Sequence, residues 1–84
     1  MQNNDIDSIL KENGLTETEL IFKENVKKLR LQSGTNLVDT AAALGMKYGK
    51  YRLIESLTPL NVKFETMEQI ARYYNIPVSD LFKL

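Results

Sequence analysis

Apolar residues recur along this chain at the three- and four-residue intervals of an α-helix, and this periodicity limits the fold more than any other feature. The clearest case is Met67, Ile70, Ala71 and Tyr74, which fall on one face of a helix. No stretch alternates apolar and polar residues, as a strand does, for more than three or four positions. We therefore predict an all-α protein. At 84 residues, the chain has room for one small domain.

Residues that start and stop helices divide this pattern into short segments. Thr16 with Glu19, and Thr66 with Gln69, have the spacing of a capping box, in which two side chains bond free backbone amides at a helix start. Glycine or asparagine stands where most segments end, as a left-handed residue often does at a helix C-terminus. The predicted helices span about 5–13, 17–33, 37–44, 47–56 and 67–74, and Pro77 opens a short last one.

Charge divides the chain into two parts, although its formal net charge is zero. Residues 1–20 contain five acids and one base, whereas residues 21–84 contain ten bases and six acids, so the two parts carry −4 and +4. We therefore predict an acidic N-terminal leader over 1–15, with a short helix, followed by a mildly basic domain over 16–84.

Several classes of function are disfavoured by residues that the sequence lacks. Cysteine and histidine are both absent, which removes thiolate nucleophiles, zinc fingers, and the commonest general base and metal ligand. A glycine-rich phosphate loop is missing as well. We expect a protein that is not an enzyme and that uses no metal, cofactor or small-molecule ligand. The longest apolar run has four residues, Ala41–Leu44, so we also expect no membrane span and a cytoplasmic location.

Two longer segments carry a more specific pattern. The first consists of VKKLR at 26–30, Gly34, Ala41, LGM at 44–46, Tyr51 and LIE at 53–55, and the second of MEQIARYYNI at 67–76 and DLF at 80–82. Together they resemble the Cro and lambda-repressor-like (XRE) family of DNA-binding domains over about 25–84. The resemblance implies a compact five-helix domain that contains a helix-turn-helix, with the leader helix as an addition.

The resemblance also implies positions for a DNA interface. In that family the helix corresponding to 47–56 enters the major groove of double-stranded DNA. The implied base-contacting residues are Tyr48, Gly49, Lys50, Arg52 and Leu53, and the implied phosphate-contacting residues are Asn36, Lys47, Ser56 and Lys63. Tyr51 and Ile54 are expected in the core, and Arg30 and Glu55 as an internal ion pair. The same basic helix has a simpler interpretation, since three cations before Glu55 also suit an ordinary solvated face.

Two functions follow as hypotheses. The first is a small sequence-specific transcriptional regulator, repressor-like, that binds DNA as a homodimer through its C-terminal residues Leu81, Phe82 and Leu84 or through the leader. The alternative is a protein-interaction module on the same fold that has lost base-specific reading. An apolar patch near the exposed side of the helix over 47–56 would favour this alternative. Its members would be Leu37, Leu53 and Leu57.

Overall fold

Helices account for all the regular structure in the described part of the chain. The computed structural model describes the backbone of residues 3–84 and the side chains from Ile6 onward. Its elements are α1 (Asn3–Asn13), α2 (Glu17–Gln32), α3 (Leu37–Ala43), α4 (Tyr48–Glu55), α5 (Phe64–Tyr73) and a C-terminal 3₁₀ helix (Val78–Phe82). No strand occurs within 3–84, so the all-α prediction is confirmed for these residues.

The helices begin and end close to their predicted positions because the local caps form. The Thr16 hydroxyl accepts a hydrogen bond from the Glu19 amide at 3.1 Å, at the start of α2. The Asn36 side chain likewise accepts from the Asp39 amide at 2.7 Å, at the start of α3. Positive φ angles, which favour glycine or asparagine at a helix stop, occur at Gly14, Gly34, Gly45 and Asn75.

Two other capping predictions are wrong because tertiary partners replace the local ones. Glu19 does not bond back to its own helix, since its carboxylate accepts from the Leu60 amide at 2.8 Å in the loop between α4 and α5. The helix α5 begins two residues before Thr66, which is buried inside the helix rather than capping it. The Gln69 amide donates to the Leu44 carbonyl at the end of α3.

The helix α2 lies at the centre of the packing. It packs against α4 and the 3₁₀ helix, while α3 packs against α4 and α5 packs against the 3₁₀ helix. Buried apolar side chains from all these elements meet in one core. Its members are Phe22, Val26, Ala41, Leu44, Met46, Tyr51, Ile54, Ile70, Ala71 and Leu81.

The C-terminal residues expected at a dimer contact are largely used within the chain. Leu81 is fully buried, and the ring of Phe82 stacks on that of Phe22 with 5.5 Å between their centroids. Leu84 alone among the three is fully exposed. Leu81 and Phe82 therefore stabilise the core of their own chain, which leaves Leu84 as the exposed member of the expected dimer contact.

The leader is helical and rests near the loop that follows α4. The helix α1 begins at Asn3, two residues earlier than predicted, and Gly14 ends it with φ of 68°. A Cβ atom placed on Gly14 would lie 3.6 Å from the Pro59 side chain in the α4–α5 loop. Leu15, directly after the turn, is buried. These contacts join the leader to the domain beside the C-terminal end of α4.

The dimensions agree with a single small domain. The radius of gyration is 12.7 Å, close to the value of about 12 Å expected for a chain of this length. Among the helices that the structure describes, none is long and apolar enough to cross a membrane.

Candidate nucleic-acid interface

A tight turn joins α3 to α4 and sets the position of α4 on the surface. Leu44 and Met46 are buried on either side of Gly45, which has φ of 69°. The Met46 amide donates to the Ala41 carbonyl at 2.9 Å, which closes the turn against the end of α3. The turn is therefore attached to the core at two side chains, and it directs α4 along the side of α3.

The two faces of α4 differ sharply in exposure. Tyr51 and Ile54 are fully buried, as predicted. The opposite face is in contact with solvent, apart from Leu53, which is half-buried. Lys47 precedes the helix as its N-cap residue, with an exposed side chain that makes no capping bond. The exposed members of the predicted base-contacting set are Tyr48, Gly49, Lys50 and Arg52.

The predicted ion pair between Arg30 of α2 and Glu55 of α4 is present and bidentate. The Arg30 Nε and Nη2 atoms lie 2.8 and 3.0 Å from the two carboxylate oxygens, and the Glu55 side chain is only 5% exposed. The Tyr51 hydroxyl donates to the same carboxylate. The hydrogen bond between Arg30 and Glu55 raises the pKa of Arg30. Removing one partner would leave a buried charge, at a cost of about 3–5 kcal/mol.

This ion pair also determines the charge of the exposed face of α4. Glu55 is the only acidic residue in the segment 47–56. Because Arg30 neutralises it inside the protein, the solvent side of this segment carries the charges of three cations alone. These cations are Lys47, Lys50 and Arg52.

The sequence patterns did not predict a second cation that α2 directs at α4. Lys23 is only 2% exposed, and its ammonium donates to the carbonyls of Leu53 and Ile54 at 2.8 and 3.3 Å. Burial lowers the pKa of Lys23, and the nearby Glu19 carboxylate opposes this effect. A cation is favourable here because the last carbonyls of a helix have no partner within it. The one signal in the sequence was the spacing of Lys23 from Val26, which puts both on one face of α2.

Two predicted phosphate contacts have side chains that are already engaged. Asn36 caps α3, and its amide donates to the Asp39 carboxylate at 3.1 Å, where a phosphate would meet a like charge. The Ser56 hydroxyl donates to the Leu53 carbonyl at 2.9 Å and accepts from the Thr58 amide at 3.2 Å. These bonds stabilise the ends of α3 and α4, and they weigh against both residues as phosphate ligands.

Two other predicted contacts are brought together. Lys50 of α4 and Lys63, the residue before α5, line one cleft of about 90 Å³ with Asn61 and the buried Thr66. Lys63 is exposed, and no side chain caps the amides at the start of α5. Free amides at a helix start favour an anion, as do the two ammonium groups. Two cations therefore share a cleft whose other lining is mainly apolar, from Ile54, Leu60 and Val62.

The expected apolar patch is smaller than its three leucines indicate. Leu37 packs against the core and Leu53 is half-buried, whereas Leu57 is 44% exposed. The most exposed aromatic side chain is Phe64, at 81%, next to Lys63 in the sequence. The structure therefore exposes isolated apolar side chains here, which is common on protein surfaces.

Comparison with protein-family models, curated proteins and solved structures finds no match to this chain. Inferences about function therefore depend on the residues of this chain and their geometry. Three features are relevant: the cationic face of α4, its attachment to α2, and the cleft between Lys50 and Lys63.

Proposed function

We propose that this protein is a small sequence-specific DNA-binding regulator of transcription, acting as a repressor. In this proposal α3 and α4 form a helix-turn-helix, and α4 lies in the major groove of double-stranded DNA. Two copies bind an inverted repeat with half-sites about 34 Å apart, one turn of the duplex. The bound dimer represses by occupying the site and excluding the polymerase.

The observation that supports the proposal best is the purely cationic exposed face of the segment 47–56. Its one acid, Glu55, is buried and paired with Arg30, so no carboxylate of this segment opposes the phosphates of a duplex. Attraction between cations and phosphates supplies most of the affinity of non-specific DNA binding. A net charge of zero for the whole chain does not prevent such binding, because the charge is unevenly distributed.

The exposed side chains of α4 suit the chemistry of base edges. Lys50 and Arg52 can donate to the O6 and N7 acceptors of guanine, and a good bidentate contact is worth about 1–3 kcal/mol. Tyr48 can donate to a phosphate or stack on a base. Gly49 has no side chain, and a Cβ atom added to it would have no neighbour within 4 Å, so DNA can approach the backbone closely there.

Salt dependence tests the proposal directly. We expect the protein to bind a random-sequence duplex, measured by fluorescence anisotropy, far more weakly at about 200 mM salt than at about 50 mM. The log–log slope should be about −0.9 for each phosphate contacted. Selection from a random DNA pool should then enrich a palindrome. A folded, helical sample that shows no salt-sensitive binding at about 50 mM salt would overturn the proposal.

Single substitutions separate the two kinds of contact. Lys63→Gln should weaken binding to all sequences and reduce the salt slope by about 0.9. Arg52→Gln should instead reduce the preference for the selected sequence, by about 1–3 kcal/mol at one position. Lys28→Gln is the matched control, because Lys28 is exposed on α2 beside Ile76 and Lys83, in a groove distinct from the cleft of Lys50 and Lys63.

The alternative function is a protein-interaction module on the same fold. It needs exposed apolar area, which Leu57 and Phe64 supply here as two single side chains. Such a contact would change little between low and high salt, since it depends on apolar area rather than charge. Substitution of Leu57 and Phe64 by serine would abolish it, while the regulator proposal expects DNA binding to keep its salt slope in that variant.

A further inference from the structure

Polar contacts with α2 hold the C-terminal end of α4, whereas the turn at Gly45 holds its N-terminal end. The helix α4 has eight residues, and its N-cap residue Lys47 makes no side-chain bond to its first turn. Helices this short are marginal by themselves in water, so their orientation comes from tertiary contacts. The polar contacts that α2 makes with α4 are at the last turn, with the carbonyls of Leu53 and Ile54 and the carboxylate of Glu55.

Lys23 and Arg30 make these contacts from one face of α2. Arg30 binds a side chain, whose rotation can absorb a movement of the helix. Lys23 binds the backbone itself, at 2.8 Å from the Leu53 oxygen. An ammonium has three donors, and two of them are used on consecutive carbonyls. Lys23 therefore acts directly on the path of the α4 backbone.

We infer that Lys23 is a positioning residue for recognition: it holds the C-terminal end of α4 and so sets the angle at which the exposed face of α4 meets a nucleic-acid duplex. The inferred effect on DNA binding rests on the proposed function, whereas the inferred effect on the position of α4 does not. Leu53 links the position of α4 to DNA binding, because its carbonyl accepts from Lys23 and its side chain is one of the expected base contacts.

Its burial distinguishes Lys23, which positions α4, from an exposed lysine that contacts a phosphate. Lys23 is almost completely inside the protein, so it cannot neutralise a phosphate of a bound duplex. Its removal should therefore lower affinity without changing the salt slope. Removal of an exposed lysine such as Lys63 should change the slope. This difference distinguishes positioning from direct charge contact.

The experiment compares Lys23→Met with Ile70→Val. Methionine keeps the apolar stem and removes the ammonium, while Ile70→Val removes a methylene from the core on α5 and lowers stability without removing a polar contact to α4. We expect Lys23→Met to lower DNA affinity at least about tenfold at fixed salt, with an unchanged slope. Ile70→Val should bind as the natural protein does, under conditions where both variants are folded. Lys23→Arg, which restores a buried cation, should recover part of the affinity.

Backbone amide exchange, measured by NMR on the whole chain, tests the structural part without DNA. Lys23→Met should accelerate exchange in residues 50–56 more than in α5, whereas Ile70→Val should not single out α4. Equal exchange changes in α4 and α5 would overturn the inference, as would a Lys23→Met protein that binds DNA like the natural one. If Lys23→Met does not fold, Lys23→Gln, which removes the charge and shortens the reach to the α4 carbonyls, is compared in its place, and natural affinity together with natural exchange would overturn the inference. Failure of the natural protein to bind DNA would overturn the proposed function, and the exchange result would then decide the positioning of α4.

Discussion

Individual polar residues inside this protein fall into two groups, those with partners and those without. Lys23, Arg30 and Glu55 are buried and bonded, and each stabilises the junction of α2 and α4. Tyr74 differs, because its hydroxyl is buried without a hydrogen-bond partner among the described residues. A buried polar group without a partner loses its bonds to water and gains nothing in return. The unpaired hydroxyl of Tyr74 therefore lowers the stability of the folded protein.

Tyr74→Phe should raise the free energy of unfolding by about 1–2 kcal/mol, because it removes an unsatisfied hydroxyl and keeps the ring. Urea denaturation followed by circular dichroism measures the change. Tyr73→Phe is the matched control, since Tyr73 is exposed and its ring packs edge-on against Tyr74. A loss of stability in Tyr74→Phe would show that the hydroxyl has a partner after all.

The same residue predicts a pH dependence. Burial raises the pKa of Tyr74 above its ordinary value of 10.0. The unfolded chain therefore releases this proton at a lower pH than the folded chain does. With respect to this group the protein keeps its stability below about pH 10 and loses stability as pH rises above it. Unfolding measured between about pH 8 and 11 should show a smaller alkaline loss for Tyr74→Phe than for Tyr73→Phe.

At the scale of single elements, α4 depends strongly on its surroundings. It contains Gly49, has no side-chain cap at its start, and has only eight residues. Glycine in a helix interior costs about 1 kcal/mol relative to alanine. The four residues that attach α4 to the fold do so from its buried side or from α2. They are Tyr51, Ile54, Lys23 and Arg30.

Gly49→Ala should stabilise the protein by about 1 kcal/mol and raise Tm by about 4–8 °C. Space permits the change, because no atom lies within 4 Å of the added Cβ position. Gly34→Ala is the control, since space is also open there but φ is 72°, so it should destabilise instead. If Gly49 faces the groove, the stabilised variant should bind DNA more weakly. Stabilisation with unchanged affinity would remove Gly49 from the proposed contact set.

At the scale of the whole molecule, the separation of charge places acids beside a basic surface. The leader helix α1 joins the domain next to the α4–α5 loop, where the backbone of Gly14 lies near the Pro59 side chain. This loop connects the cationic helix α4 to Lys63. Acids on α1 therefore lie on a segment attached beside the surface that we propose for DNA. We expect the leader to weaken DNA binding through its negative charge.

Neutralising the leader tests this expectation. The double variant Asp7→Asn/Glu12→Gln changes two exposed side chains of α1, and it should bind DNA several-fold more tightly at about 50 mM salt. The gain should shrink at about 200 mM salt, because salt screens charges that are separated through solvent. Asp7→Asn and Glu12→Gln are also measured singly, and Glu24→Gln, which makes the same charge change at an exposed site on α2, is the control for each. Equal affinities for the double variant and the natural protein would exclude an electrostatic effect of the leader.

Local interactions made most of the helix pattern predictable. Thr16, Asn36 and Asn75 act within a few residues of their own positions, so their types and spacing already indicate where helices begin and end. The buried faces of α2 and α5 were predictable for the same reason, since periodicity is a local property. The Arg30–Glu55 pair was predictable from the resemblance of those residues to a known family.

The sequence by itself therefore determined the helices, most of their stops and the buried faces of α4 and α5. Tertiary structure alone decided where the long polar side chains bind. Glu19 bonds a residue 41 positions away, Lys23 bonds residues 30 and 31 positions away, and Gln69 bonds one 25 positions away. Flexible polar side chains can satisfy any free amide or carbonyl within reach, and packing determines which ones come within reach. For this reason the attachment of α4 through Lys23 emerged only from the folded chain.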